Sequence, residues 1–120
     1  MKIYLAGPMR GIKDFNFPAF HAAAKQLRAE GHEVFNPAER DEAEFGAEIL
    51  KTATGSEAEV AARMGLTDQL GLARKCFLAD TMWICIHAEA IAILPNWENS
   101  RGVRAEKALG EAIGIEVRYL

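Results

Sequence analysis

Residues 90–94 read Ala-Ile-Ala-Ile-Leu, an apolar run with no polar interruption. A strand that is apolar at every position, rather than at every second one, is covered on both faces. That requirement places the run at the centre of a parallel sheet, with helices above and below it. The rest of the chain supplies the partners. Lys2 to Ala6 reads as a first strand closed by Gly7-Pro8. Asn16 reads as an N-cap with Pro18 in the first helical turn, and Phe17, Phe20, Ala24 and Leu27 make a helical stripe that stops at Gly31. His32 to Phe35 is a short second strand, ended by Asn36-Pro37. A long helix runs from Thr67 to about His87, with Leu70, Ala73, Phe77 and Ile84 on one face. After the run, Pro95 to Arg101 is a loop, Ser100 to Ile113 a helix ended by Gly114, and Ile115 to Tyr119 a last strand. Alternation of this kind implies right-handed crossovers, hence an α/β three-layer sandwich with a parallel sheet of order 2-1-3-4. Ligands in such sheets bind beyond the carboxyl ends of the strands, where the order reverses. The loops that meet there are 7–14 and 95–102.

The chain has 120 residues, enough for one domain with a substantial core and too few for two. Residues 40–66 are acidic and alanine-rich with a break at Thr54-Gly55-Ser56. They are expected to form one or two short, partly mobile helices over an edge of the domain, as a lid or as a variable surface excursion. Lys and Arg total 14 against 17 Asp and Glu, a net charge of −3. That balance excludes a nucleic-acid polymer as partner and leaves room for a small anionic ligand at local arginines. Cys76 and Cys85 lack metal-ligand spacing, and His21, His32 and His87 share no face, so no metal is expected. No leader pattern precedes the first strand and no apolar run approaches membrane-spanning length, which leads to an expectation of a cytoplasmic protein with reduced thiols.

Two carboxylates stand out against this frame. On a helix drawn at about 100° per residue, Val103, Leu109, Gly110 and Ile113 fall on one narrow face with Glu106 in its middle, while Arg104, Lys107 and Glu111 point away. An acid on a buried stripe is costly unless something satisfies it. Glu106 is either bonded to neighbouring backbone N–H groups or is a catalytic carboxylate, kept ionised by the helix N-terminus. Asp80 repeats the anomaly between Phe77 and Ile84. It either caps a loop or pairs with an arginine, or it divides acid and nucleophile roles with Glu106. Arg10 and Gly11, after Gly7-Pro8, form a loop suited to a phosphate, as do Ser100 and Gly102 at a helix start, although Ser100 also suits a simple N-cap. Tyr4 lies on the first strand, and Trp97 either stacks on a flat base or packs on its own domain.

Three stretches taken together, Ile3-Tyr4-Leu5-Ala6-Gly7-Pro8-Met9-Arg10-Gly11, Asp80-Thr81-Met82-Trp83-Ile84 and Ser100-Arg101-Gly102-Val103-Arg104-Ala105-Glu106, resemble the nucleoside 2-deoxyribosyltransferase superfamily. The resemblance spans nearly the whole chain apart from residues 40–66. It is closest to small, often phage-associated members with a similar Leu94-Pro95-x-Trp97 stretch. It implies a flavodoxin-like fold and cleavage of the N-glycosidic bond of 2′-deoxynucleosides, with Glu106 as nucleophile, Asp80 as catalytic aspartate and Tyr4 orienting Glu106. The transferases usually carry aspartate at the position of Ser100. The related deoxynucleoside 5′-monophosphate N-hydrolases carry serine there and a similar Gly-x-x-Arg-Gly loop, so Arg10, Ser100 and Gly102 point toward a 5′-phosphate. Pro8 replaces a serine of that loop and removes one phosphate donor. The resemblance implies no metal or redox cofactor, and an assembly of at least two copies. The alternative is a nucleotide-binding module without turnover.

Overall fold

A computed structural model describes all 120 residues, Met1–Leu120. Four strands, β1 (Lys2–Ala6), β2 (Glu33–Phe35), β3 (Ala90–Ile93) and β4 (Glu116–Tyr119), form one parallel sheet in the order β2-β1-β3-β4. Five helices connect and cover them: α1 (Phe17–Ala29), α2 (Pro37–Phe45), α3 (Glu57–Arg63), α4 (Gln69–His87) and α5 (Arg101–Ile113). The expected order and sandwich are those of the molecule. No helix is long and apolar enough to cross a membrane.

The two-residue period of the strands sorts the interior into two cores. Ile3 and Leu5 of β1, with Ala90, Ala92 and Leu94, face Phe17, Phe20, Ala24 and Leu27 of α1. Tyr4, Ala6, Ile91 and Ile93 face the other way, onto Ile84 of α4 and Val103 of α5. Residues 90–94 are buried at every position because β1 and β4 flank β3 while helices cover both of its faces. Each isoleucine so buried contributes about 1.5–3 kcal/mol.

Three details differ from the sequence reading. Asn16 occupies the cap position of α1 but in the left-handed region, and its side chain donates to Pro8 O at 3.1 Å instead of capping the helix. On α4 only Ile84 is buried, while Leu70, Leu78, Met82 and Ile86 are half or more exposed. The face that carries Ala73 and Phe77 borders a cavity rather than a core. Residues 40–66 are no surface excursion. They hold the end of α2, a 3-10 turn at Glu48–Leu50 and α3, and Leu50 and Val60 join the same core as Ile3 and Leu5.

Gly7 closes β1 where no side chain fits: a Cβ there would lie 2.7 and 2.9 Å from Leu94 Cδ1 and Cβ, and 3.0 Å from Phe20 Cζ. At Gly110 the close atom is Ile91 Cδ1 at 2.6 Å, the end of a flexible side chain. Gly7→Ala should therefore cost about 1–3 kcal/mol by overpacking. In Gly110→Ala the strain is offset by a helix-propensity gain of about 1 kcal/mol. Urea denaturation of the two variants measures the difference, and equal midpoints would contradict this packing account.

Candidate functional site

The connections that leave the carboxyl ends of the strands enclose a cavity of about 1030 Å³. Its wall includes Tyr4 and the segment Gly7–Arg10, Asp41 of α2, Glu57 of α3, Asp80 of α4, and Ser100, Gly102 and Glu106 at the start of α5. Such a volume suits a ligand the size of a small metabolite.

Tyr4 is its fixed point. Its ring stacks on Phe35 at 5.6 Å, and Phe35 in turn packs on Trp83 of α4 at 5.1 Å. The hydroxyl donates to Glu106 Oε2. Both residues are withdrawn from water, with Tyr4 1% and Glu106 6% exposed. Burial raises the Glu106 carboxyl to about 8, the Tyr4 hydrogen bond opposes the rise, and the Asp80 charge adds to it. The sequence reading has the helix dipole holding Glu106 ionised. The structure places it in the second turn of α5, beyond the reach of that field, where desolvation wins.

Asp80 is raised to about 7, first by burial and then by the Asp41 charge, while Arg40 and Tyr4 pull it down. Asp41 is raised to about 6, again chiefly by burial. Arg40 lies between the two aspartates, with Nε 3.9 Å from Asp80 Oδ1 and Nη2 3.4 Å from Asp41 Oδ1. Its Nη1 donates to Glu44 Oε2 at 2.8 Å. Arg40 Nε and Nη2, Asp41 Oδ1 and Asp80 Oδ1 are buried and make no hydrogen bond. Asp41 and Asp80 line the cavity and Arg40 does not, so the arginine meets the two acids electrostatically, without a hydrogen bond. The sequence reading missed Arg40 and Asp41. Their signal was position: α2 begins directly after β2, so its second turn reaches the crevice at the carboxyl edge.

At the mouth, Arg10 Nε donates to Glu57 Oε1 at 2.5 Å, with the side chains 66% and 30% exposed. An exposed pair of this kind contributes at most about 1 kcal/mol, so it does not hold the two loops together. Backbone does. Gly11 N–H donates to Gly55 O at 3.1 Å, Asp14 N–H to Thr52 O at 2.7 Å, and Thr52 N–H to Asp14 Oδ1 at 3.1 Å. The loop pays for this fit with three consecutive left-handed residues, Asp14, Phe15 and Asn16, at φ 52°, 53° and 64°.

The structure gathers Glu106, Asp80, Tyr4, Gly7, Arg10, Ser100 and Gly102 around one cavity. Ser100 also caps α5, since its Oγ accepts from Val103 N–H at 3.3 Å. Gly102 has open space where a Cβ would sit, whereas Gly7 is a glycine because of Leu94 and Phe20. Gly11 is bonded to Gly55 and does not line the cavity. Trp97 does not line it either. It packs on Tyr119 at 5.7 Å with Lys107 Nζ 5.8 Å above its ring, because Asn96, at φ 63°, turns the chain there. No group of three or more His, Cys, Asp or Glu is placed to hold a metal ion.

Residues 1–119 match the family described as Domain of unknown function (DUF4406). The chain belongs to the DUF4406 family. No curated protein and no solved structure matches it. Every cavity residue of this DUF4406 chain lies within the matched span.

A folded carboxyl that keeps its proton to about pH 8, while the unfolded chain releases it near 4.5, binds more protons than the unfolded chain between those values. Stability therefore falls as pH rises through that window. Asp80 and Asp41 act in the same direction up to about 7 and 6. The thermal midpoint should decline from pH 5 toward pH 8, and Glu106→Gln should flatten the upper part of the decline. Calorimetric scans across that range check it, and a midpoint that rises toward pH 8 would refute the assignment.

Proposed function

We propose that the chain cleaves the N-glycosidic bond of a 2′-deoxynucleoside or its 5′-monophosphate through a glycosyl-enzyme on Glu106. The observation that carries the reading is a buried carboxylate with a fixed donor at one oxygen, Tyr4 on Glu106, sharing a cavity with a second buried acid, Asp80. The two acids interact and titrate as a unit, so near neutral pH they lose a first proton between them. Burial holds the proton on Glu106 to higher pH than on Asp80, so the reactive form, with Glu106 ionised and Asp80 protonated, is the minor of the two singly protonated forms, and the Tyr4 hydrogen bond favours it. The ionised Glu106 attacks C1′ from the face opposite the base. The C1′–N bond breaks, and its electron pair takes the proton of Asp80. Water or a second base then attacks C1′ and releases the glutamate. Arg10, Ser100 and Gly102 receive the 5′ end. The resemblance to 2-deoxyribosyltransferases is consistent with each of these roles. The second reading, a silent nucleotide-binding module, keeps the cavity and drops the chemistry.

The same reading includes a cytoplasmic protein in which Cys76 and Cys85 stay free, and an assembly of at least two copies. Leu78, Met82 and Ile86 recur every four residues on the exposed side of α4, which supports the assembly. Sedimentation equilibrium should show a dimer or larger for the native chain and a monomer for Met82→Glu. A native monomer would refute the assembly.

Activity is tested by incubation with the four common 2′-deoxynucleosides and their 5′-monophosphates, with free base followed by chromatography. Glu106→Ala should reduce release about 10³-fold or more. Asp80→Asn should reduce it about 10²–10⁴-fold. Release that survives Glu106→Ala removes the nucleophile. Binding without release from any of the eight compounds favours the silent module.

A further inference from the structure

Arg10 is a cation at the cavity mouth, and it already has an anion. Its Nε donates to Glu57 Oε1 at 2.5 Å, and both residues line the cavity. The pairing does not depend on two flexible side chains finding one another. The segment that carries Glu57 is fastened to the loop that carries Arg10 by the Gly11–Gly55 backbone bond and by the reciprocal bonds of Asp14 and Thr52. No side chain fits at Gly55, where a Cβ would lie 2.3 Å from Ile12 O. Pro8, in the same loop, has no N–H to offer an anion. Ser100 is neutral between ligands, because capping α5 uses its oxygen as acceptor and leaves its hydroxyl proton available.

A phosphate brought to the terminal nitrogens of Arg10 shares its guanidinium with the Glu57 carboxylate on Nε, a like-charge contact that disfavours the complex. A hydroxymethyl group meets no such conflict and finds a carboxylate that accepts its proton. We infer that Glu57 determines specificity: it neutralises Arg10 and accepts from an uncharged 5′-hydroxyl, so that the cavity selects 2′-deoxynucleosides over their 5′-monophosphates. The inference rests on the reading above in which the mouth receives the 5′ end of a deoxynucleoside.

The test is isothermal calorimetry with the same eight compounds in a Glu106→Ala background, where turnover does not interfere. The background protein should bind the preferred deoxynucleoside about tenfold or more tightly than its monophosphate. Adding Glu57→Gln should shift that ratio about tenfold toward the monophosphate, and adding Arg10→Gln as well should cancel the shift. A background protein that prefers the monophosphate, or a ratio that Glu57→Gln leaves in place, overturns the role of Glu57 while the glycosidic reading stands. Failure of all eight compounds to bind overturns both.

Discussion

Tyr4 is in register with Phe35 on one side of β1 and with Ile91 on the other, so two ladders fix its backbone while Phe35 fixes its ring. From that position its hydroxyl reaches Glu106, 102 residues away along the chain. The contact ties the central strand to α5 and sets where the buried carboxylate points. The direction in which Glu106 points follows from a tyrosine held on both sides. A phenol on a loop would give the same hydrogen bond without the aim.

Burial has two effects at this site. It keeps Glu106, Asp80 and Asp41 protonated further up the pH scale than ordinary carboxyls, and it strengthens every charge that does form. Arg40 partly compensates from one side, close to both aspartates but bonded to neither. The penalty for a carboxyl raised as far as Glu106 is on the order of a few kcal/mol. One fully buried isoleucine contributes a similar amount, and β3 supplies two, Ile91 and Ile93, in the core beneath the site. The apolar centre of the sheet thus offsets the cost of the acid cluster at its edge.

The parts legible in sequence were those governed by period. The uninterrupted run at 90–94, the stripe of α1 and the 100° projection of α5 gave the sheet order, the helices and the buried position of Glu106. The errors have local causes. Asn16 looked like a cap, but the left-handed turn before it redirects its side chain to Pro8. The apolar residues of α4 looked like a core face, yet the helix borders a cavity on one side and lies exposed on the other. Of the two readings open for Trp97, stacking on a base and packing on its own domain, the turn at Asn96 brings about the second. Arg40, Asp41 and Glu57 were hidden in a charged stretch, because nothing in its composition says which charges face inward. Only the docking of residues 52–57 on the loop after β1 decides that.

The unpaired atoms of Arg40, Asp41 and Asp80 bear on the history of such a chain as well as its chemistry. A lineage drifting under selection for folding alone gains by exchanging buried acids for well-packed apolar residues, since that removes the cost of burying a charge. Asp41, Asp80 and Glu106 would be among the first features to erode. A descendant that keeps Asp41, Asp80 and Glu106 together while its surface diverges is one in which something other than stability has been rewarded.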